Sequence, residues 1–550
     1  MVNPLFSQKD KVSLTVNEEI KKLFQEIYRK QHQPPVNDDE PKIRVSEIIS
    51  KAAFFYEKIR NTVDDKEEHL LHKNAIDRII RRQIVIEQMR DPEDIAKHLL
   101  SELIRAGYLP NNKIPESKIQ DVAVIVKKYL SLRRMSAPVL DTLPSEEKKD
   151  INRWFISLTA CEIEGIIKRD SVAQLAINIL YQNLVKNIEL PDNSPYLRDK
   201  EILIYTGVYR SYLKADSDMI SYVLFKYYIA DWATASDTLI AQTAANIASL
   251  YQAIKFQDNH PLVPRLSKVI DRYALYFSIL REVIEHDPVT IYNEIKSDPK
   301  AFPRNIKNAC AKRYKSTKRK LWRAGIRSII YLFATKMLLV VLLEVPLAQF
   351  LLDEKINLFT LGINVSFPPI LLFLIILFTA LPGEKNTNKI IEGVEELVFV
   401  EKERKDAIRM RPIAKRTKAV TYFFNTLYAV TFFITFGGVI YVLDQKGFNF
   451  ISISIFVLFL ALISFFSIRI RKRVRELLVI DASENIFLFI SDFFYVPIVA
   501  VGKWIAEKFS RLNLIVFFLD FIIEAPFKIF VEIFEEWSKY VRERKEDISQ

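Results

Sequence analysis

Two ionisable residues, Lys336 and Glu344, interrupt an apolar stretch at positions 328–352 and form the candidate polar site of this chain. Charge inside hydrocarbon costs several kcal/mol, so such residues point by default to a functional site. Eight positions separate them, too many for a direct i, i+4 pair, so each needs another partner or water. One interpretation is an ion-coordinating or proton-carrying site. The alternative places the lysine near one membrane surface and the glutamate near the other.

Other patterns that could support catalysis or metal binding are weak or missing. His69 and His72 share a helix face and could supply half of a metal site, but the charged residues before them favour a polar helix surface. The two cysteines, Cys161 and Cys310, lack any nucleophile or zinc motif. Glycine-rich phosphate loops are missing from a chain with only 11 glycines. We therefore predict no catalytic residue, no metal and no cofactor, and an enzyme ranks last among the functions considered.

Four apolar stretches are the elements that would position Lys336 and Glu344. Each reaches the ~20 residues that a helix needs to cross a bilayer. Short polar gaps join the first to the second and the third to the fourth, which makes two antiparallel hairpins. Pro368 and Pro369 are expected to kink or break the second helix. We predict a transmembrane region at 328–468 with spans at 328–352, 358–381, 421–443 and 450–468.

The basic residues of the chain predict its orientation in the membrane. The formal net charge of +12 is concentrated beside the apolar stretches, in a juxtamembrane segment at 306–327 and directly after the fourth stretch. The loop 383–420 is also rich in Lys and Arg, whereas the two opposite loops hold one each. Lys and Arg beside spanning helices face the cytoplasm. We predict a multi-pass protein of the cell (plasma or inner) membrane with both termini cytoplasmic.

The same basic residues predict contact with the membrane surface, because Lys and Arg attract anionic lipid headgroups. Their position beside apolar stretches argues against nucleic acid as a partner. The residues expected to contact the surface are Lys312, Arg313, Lys315, Lys318, Arg319, Lys320, Trp322, Arg323, Arg327, Arg469, Arg471, Lys472, Arg473 and Arg475.

Residues 1–305 have the pattern of a cytoplasmic α-helical domain. Apolar positions recur at intervals of three and four, as in Ile20, Leu23, Phe24 and Ile27. A capping residue, a proline and an acid at 91–93 mark a helix start. A break near 141–145 could divide the domain into two bundles. The apolar positions of loop 383–420 predict a further cytoplasmic helix that packs on this domain.

The tail, residues 469–550, repeats one pattern. Two apolar runs, within 485–501 and 513–526, each end at or near a proline. Runs of about a dozen residues are short for spanning, so we predict re-entrant or interfacial helices on the cytoplasmic side. A hairpin of two further spans is the alternative. If these runs entered the bilayer, three carboxylates would become candidates for ion handling: Asp492, Asp520 and Glu524.

The predicted fold class is all-α, with a large soluble N-terminal helical domain, a four-helix transmembrane region of two hairpins, and amphipathic or interfacial C-terminal helices. Our first functional hypothesis is an integral membrane protein whose cytoplasmic domain acts as a scaffold. Such a scaffold would recruit a protein partner or form a homo-oligomer. The alternative is a transporter or channel that uses Lys336 and Glu344.

Overall fold

The computed structural model describes residues 15–32, 40–46, 68–192, 194–298, 301–344, 358–411, 417–480 and 486–512, together with a few single positions outside these ranges. All structural statements refer to these residues. The predicted tail helix at 513–526, with Asp520 and Glu524, lies outside them, as do positions 347–352 of the first predicted span.

The described chain is almost wholly α-helical, which confirms the all-α fold class. Twelve described helices precede the apolar region: α1 (Glu18–Gln31), α2 (Glu68–Arg81), α3 (Pro92–Arg105), α4 (Ser117–Leu140), α5 (Ser145–Ile167), α6 (Ser171–Asn187), α7 (Lys200–Tyr212), α8 (Ser217–Tyr228), α9 (Asp237–Ala245), α10 (Ile247–Asp258), α11 (Val263–His286) and α12 (Pro288–Ser297).

Local sequence signals set where several of these helices begin. The Asp91 side chain accepts a hydrogen bond from the Asp94 N–H, and Pro92 is the first residue of α3, which confirms the predicted start. Asp170 and Asp216 cap α6 and α8 in the same way. The predicted apolar face of α1 is confirmed too, since all four of its residues are buried.

One hydrophobic core runs through the helical domain, and α5 lies inside it. Every side chain of α5 between Trp154 and Glu164 is buried, so its polar residues need partners within the domain. Glu162 accepts hydrogen bonds from Lys128 Nζ (2.5 Å) and from the Tyr129 hydroxyl (2.7 Å), both on α4. These bonds fix α5 against α4 in the middle of the domain.

The loop at 141–145, where the sequence suggests a division, joins α4 to α5. Leu140 before it and Ile151 after it belong to the same hydrophobic core. That core also includes Phe302 and Ile306, so the loop separates two helices of one core.

A helix of 39 residues, α13 (Ala301–Leu339), connects the helical domain with the apolar region. Its first turns lie in the core, where Phe302, Ile306 and Cys310 are buried. The helix runs without interruption through the basic segment into the first apolar stretch, and a π-helical turn at Val340–Glu344 follows it. One continuous helix therefore begins in the core of the helical domain and extends into the first apolar stretch.

Four more helices follow: α14 (Leu358–Leu377), α15 (Glu384–Val398), α16 (Lys418–Gln445) and α17 (Phe450–Arg475). Four described helices, α13, α14, α16 and α17, are long and apolar enough to cross a bilayer, as expected of a membrane protein. The predicted break in the second span does not occur, because α14 continues through Pro368 and Pro369.

The loop helix α15 packs on the helical domain. Ile390 and Val394 of α15 are completely buried. Gly393 lies so close to Tyr276 of α11 that a Cβ at this position would be 2.3 Å from two ring atoms. Only a residue without a side chain fits this approach.

Main-chain hydrogen bonds hold the chain around α15 to the same domain. The Asn17 N–H donates to the Val398 carbonyl at 2.8 Å. Further along, two short strands pair in parallel, β1 (Ile188–Glu189) and β2 (Ile408–Arg409). The connection between α14 and α16 is therefore bound to the helical domain at both of these places.

The last described helix, α18 (Ile486–Leu512), packs along α17 in the opposite direction. The Tyr495 hydroxyl donates to the Ser464 carbonyl at 2.9 Å, and later in α18 Gly502 lies against Ala461. As the residue number rises along α18, the number of the contacted residue on α17 falls. The two helices are therefore antiparallel neighbours. α18 thus packs against an apolar helix, whereas the second run of the alternative hairpin lies outside the described residues.

Candidate functional site

Glu344 lies at the end of the π-helical turn that follows α13. The residue is 2% exposed. Its Oε1 accepts hydrogen bonds from Asn364 Nδ2 on α14 (2.7 Å) and from Ser452 Oγ on α17 (2.5 Å). Two donors on one oxygen stabilise the ionised carboxylate. Three helices thus meet at one acid, and π-turns often occur at functional sites.

The start of α17 adds a favourable electrostatic environment for this carboxylate. Ser452 is in the first turn of α17, and its N–H donates to the capping side chain of Asn449 at 2.8 Å. The N-terminal end of a helix carries a partial positive charge, which stabilises a nearby anion. Glu344 therefore lies near the end of the bundle where α17 begins.

The orientation of the Asn364 amide follows from its surroundings. Its Nδ2 faces two acceptors, Glu344 Oε1 and the carbonyl oxygen of Ser452 (3.3 Å), so the nitrogen must point there. Asn364 Oδ1 and Glu344 Oε2 are then buried acceptors with no hydrogen-bond donor in the described structure. Buried acceptors of this kind need a proton, a water molecule or a cation.

Pro368 leaves a further acceptor on the same residue. The carbonyl of a helical residue accepts from the N–H four residues later, and for Asn364 that residue is Pro368, which has no N–H. Asn364 thus has a main-chain and a side-chain oxygen without their usual donors. The unpaired Asn364 Oδ1 and Glu344 Oε2 are oxygen acceptors, the atom type that coordinates Na⁺ in membrane transporters.

Lys336 lies about two helical turns before Glu344 and is completely buried. Its Nζ is 4.4 Å from the ring centre of Phe459 on α17, within range of a cation–π contact. The described residues offer this Nζ no hydrogen-bond acceptor, although it interacts electrostatically with Glu344. The structure thus places both residues singled out by the sequence inside the bundle.

Polar side chains continue along α17 beyond Phe459. The hydroxyls of Ser467 and Tyr495 are 2.8 Å apart. Arg471 Nη2 lies 3.4 Å from the Ser467 hydroxyl. Polar groups therefore occur near both ends of α17, and Lys336 is the charged group between them.

Three residues of this site are not among those that the sequence singles out: Asn364, Ser452 and Phe459. Asn364 carries the one side-chain amide in the stretch 358–381. An amide in hydrocarbon needs a partner, so a search for amides within apolar stretches would have found it. No sequence signal separates Ser452 or Phe459 from the other serines and aromatic residues of the fourth span.

Most of the predicted membrane-surface residues lie on the exposed side of α13 and at the end of α17. Trp322 is half-buried, and its ring centre is 6.2 Å from that of Phe373 on α14. Leu321 and Val474 belong to one apolar cluster. The two basic runs around these residues therefore lie at the same end of the bundle.

Three residues considered for metal binding or nucleophilic chemistry, His72, Cys161 and Cys310, lie in the packed interior. His72 is buried, and its Nδ1 forms a hydrogen bond with the Glu164 carboxylate of α5. Cys161 and Cys310 are buried. Burial raises the pKa of the Cys161 thiol well above its usual value, which keeps it protonated and unreactive. No group of three or more His, Cys, Asp or Glu residues that could hold a metal occurs in the described ranges.

Fold and composition define a class for this chain: an all-α protein with four described helices that are long and apolar enough to span a membrane. No protein-family model, no curated protein and no solved structure matches it. The intramembrane site is therefore the part of the molecule from which its function can be inferred.

Proposed function

We propose that this protein binds a proton or a monovalent cation at Glu344 and moves it across the membrane. One observation carries the proposal: three buried polar atoms, Glu344 Oε2, Asn364 Oδ1 and Lys336 Nζ, have no hydrogen-bond partner among the described residues. An unpaired buried group costs about 1–3 kcal/mol, and more when it is charged. A purely structural ion pair would satisfy the ammonium and the carboxylate by direct contact.

Electrostatics restricts how a cation can bind. Lys336 and Glu344 carry opposite charges, so the ionised pair is neutral as a unit. A cation at Glu344 would leave a net positive charge in a medium of low dielectric constant, which is costly. Release of a proton from Lys336 to water would restore neutrality. We therefore expect cation binding and proton release to be coupled one for one.

Ion flux through the purified full-length protein in sealed lipid vesicles tests this proposal. A pH-sensitive dye inside the vesicles reports proton movement after a pH step or after addition of Na⁺ or K⁺. The wild type should dissipate the gradient faster than empty vesicles do. Glu344→Gln should slow this by about tenfold or more, because the amide keeps the shape and cannot carry the charge.

The matched control is Glu392→Gln, which removes an exposed carboxylate of α15 that pairs with Lys389. It should leave the flux unchanged. Equal flux for the wild type and Glu344→Gln, with equal melting temperatures, would refute the proposal. A response to the pH step alone would identify the proton as the transported ion, and a response to Na⁺ or K⁺ would identify cation exchange.

A second function, the partner-recruiting scaffold, is supported by a surface of the helical domain. Leu197, Tyr227, Tyr228 and Phe256 are each between 41% and 56% exposed. Gln257, next to Phe256, lies beside Tyr228 and donates from Nε2 to the carboxylate of Asp199 (2.9 Å), two residues after Leu197, so these exposed side chains lie on one surface. Tyr228 also borders a groove of about 410 Å³. Exposed apolar patches of this kind often mark protein interaction sites.

Variants of this patch separate the two functions. The double variant Tyr227→Ser and Phe256→Ser should abolish copurification of a bound protein, or dissociate a homo-oligomer, if the scaffold hypothesis holds. It should leave the ion flux unchanged. Glu344→Gln should have the reverse effects. Both proposals use the predicted orientation, with the helical domain in the cytoplasm.

A further inference from the structure

A belt of basic side chains surrounds α13 before its apolar half. Half-buried Arg313 in this segment lies 3.9 Å from Glu282, whereas the exposed basic side chains form no ion pair with a described acidic residue. They occupy about 23 Å of helix and repel one another, so the belt requires anions nearby. Its exposed members on α13 are Lys312, Lys315, Lys318, Arg319, Lys320, Arg323 and Arg327.

The basic run of α17 extends the belt. It lies at the same end of the bundle, because Leu321 and Val474 share one apolar cluster. Glu476, the acid next to this run, lies 3.9 Å from Lys472 Nζ and 3.3 Å from Lys214 Nζ. One carboxylate shared between two lysines does not neutralise the run. The exposed members of the belt on α17 are Arg469, Lys472 and Arg475.

The exposed surface of α13 is basic along the belt and becomes apolar directly after Arg327. Trp322 lies within it, and Trp residues prefer the level of lipid headgroups. A surface that is cationic on one side of this level and apolar on the other matches the boundary between headgroups and acyl chains. The exposed side chains that follow the belt are Ile330, Tyr331, Phe333, Met337 and Leu338.

We propose that the basic belt is a binding site for the phosphate groups of anionic phospholipids. Lys and Arg supply charged donors to phosphate oxygens, and the apolar surface directly beyond them accommodates the acyl chains of the same lipid. The phosphates of a nucleic acid would pair with the same charges, but a nucleic acid has no acyl chain to contact the apolar surface. The occupant is therefore an amphiphile with an anionic head.

Native mass spectrometry of the full-length protein from micelles with equal amounts of phosphatidylglycerol and phosphatidylcholine tests this inference. The wild type should retain phosphatidylglycerol in preference to phosphatidylcholine. High salt should reduce this preference, because ions screen the charges. A variant without five belt charges should lose the preference by about tenfold or more. Its substitutions are Lys318→Gln, Arg319→Gln, Lys320→Gln, Arg323→Gln and Arg327→Gln.

The matched control removes five exposed charges from the helical domain: Lys97→Gln, Lys113→Gln, Lys127→Gln, Lys149→Gln and Arg153→Gln. It should retain the lipid preference of the wild type. Equal preference in the belt variant and the control would overturn the inference. So would stronger binding of a single-stranded oligonucleotide than of phosphatidylglycerol vesicles to the wild type. If the belt variant does not fold, salt-independent lipid retention by the wild type would still overturn it.

Discussion

Glu344 and Asn364 meet inside the bundle, where the carboxylate Oε1 accepts a hydrogen bond of 2.7 Å from the amide Nδ2. This bond joins the turn at the end of the long helix that leaves the helical domain to the second apolar helix. It also fixes the amide so that its oxygen faces a region without a described donor. The pair is therefore held in one orientation, while two of its three side-chain oxygens have no donor among the described residues.

Ser452 is the third member of this site, and its hydroxyl can be tested alone. Ser452→Ala removes the hydrogen bond of 2.5 Å to Glu344 Oε1. We expect a loss of about 1–2 kcal/mol in the free energy of unfolding, because a buried charged acceptor loses one donor. We also expect a lower ion flux. Thermal unfolding in detergent and the vesicle assay measure the two effects.

Ser454→Ala is the control on the same helix. The Ser454 hydroxyl is exposed and donates to the Phe450 carbonyl of its own turn. Its removal should change the free energy of unfolding by no more than about 0.5 kcal/mol. Equal destabilisation by the two substitutions would show that the bond to Glu344 contributes nothing.

The apolar helices could be predicted from the sequence because hydropathy sums over ~20 residues. The predicted stretches 421–443 and 450–468 lie within α16 and α17. The partners of Glu344 could not be predicted in this way. Which side chain meets which depends on the rotation and crossing of whole helices, and a single polar residue such as Ser452 hardly changes a summed hydropathy.

The packing of the tail helix α18 is a second feature that the sequence pattern does not predict. The apolar run before Pro497 is short, so length alone favours an interfacial helix. The structure continues α18 through Pro497 and brings Gly502 against α17. Close approach of two helices at a glycine is a pairwise property, and the length of an apolar run carries no information about it.

Gly502 provides a test of that packing. A Cβ at this position would lie 1.9 Å from the Ala461 carbonyl oxygen, an atom of the backbone that cannot turn aside. Gly502→Ala should therefore push α17 and α18 apart and lower the melting temperature in detergent. We expect a cost of about 1–3 kcal/mol, as for other overpacked sites.

Gly437→Ala is the matched change in α16, because a Cβ there has nothing within 4 Å. It should be neutral or stabilising by up to about 1 kcal/mol, since alanine favours helix over glycine. If Gly502→Ala were as stable as Gly437→Ala, the antiparallel packing of α18 on α17 would be wrong.

Gly393 tests how firmly α15 is held to the helical domain. Gly393→Ala places a Cβ 2.3 Å from the Tyr276 ring, so α15 or the ring must move. We expect a loss of about 1–3 kcal/mol and faster cleavage by added protease in the segment after α15. Mass spectrometry of the fragments locates the cuts.

Gly165→Ala in α5 is the control, since a Cβ there meets nothing within 4 Å. Its cleavage pattern should match that of the wild type. Cleavage at the wild-type rate in Gly393→Ala would mean that the contact with Tyr276 does not hold the loop in place.

His260 predicts how the helical domain responds to acid. Burial lowers the pKa of its imidazole, and the Asp199 carboxylate, 3.6 Å from Nε2, offsets part of this effect. Folding therefore disfavours protonation of the ring, whose Nδ1 accepts a hydrogen bond of 3.2 Å from the Leu262 N–H. In the unfolded chain the same ring takes up a proton at its ordinary pKa of about 6.5.

The sign of the pH effect follows from these two states. As the pH falls through about 6.5, the unfolded chain binds this proton more readily than the folded protein does, so the free energy of unfolding falls. Melting temperatures between about pH 7.5 and pH 5.5 should decrease less for His260→Gln than for the wild type. His98→Gln, which changes an exposed histidine, should keep the wild-type slope. The same slope in all three proteins would mean that folding does not lower the pKa of His260.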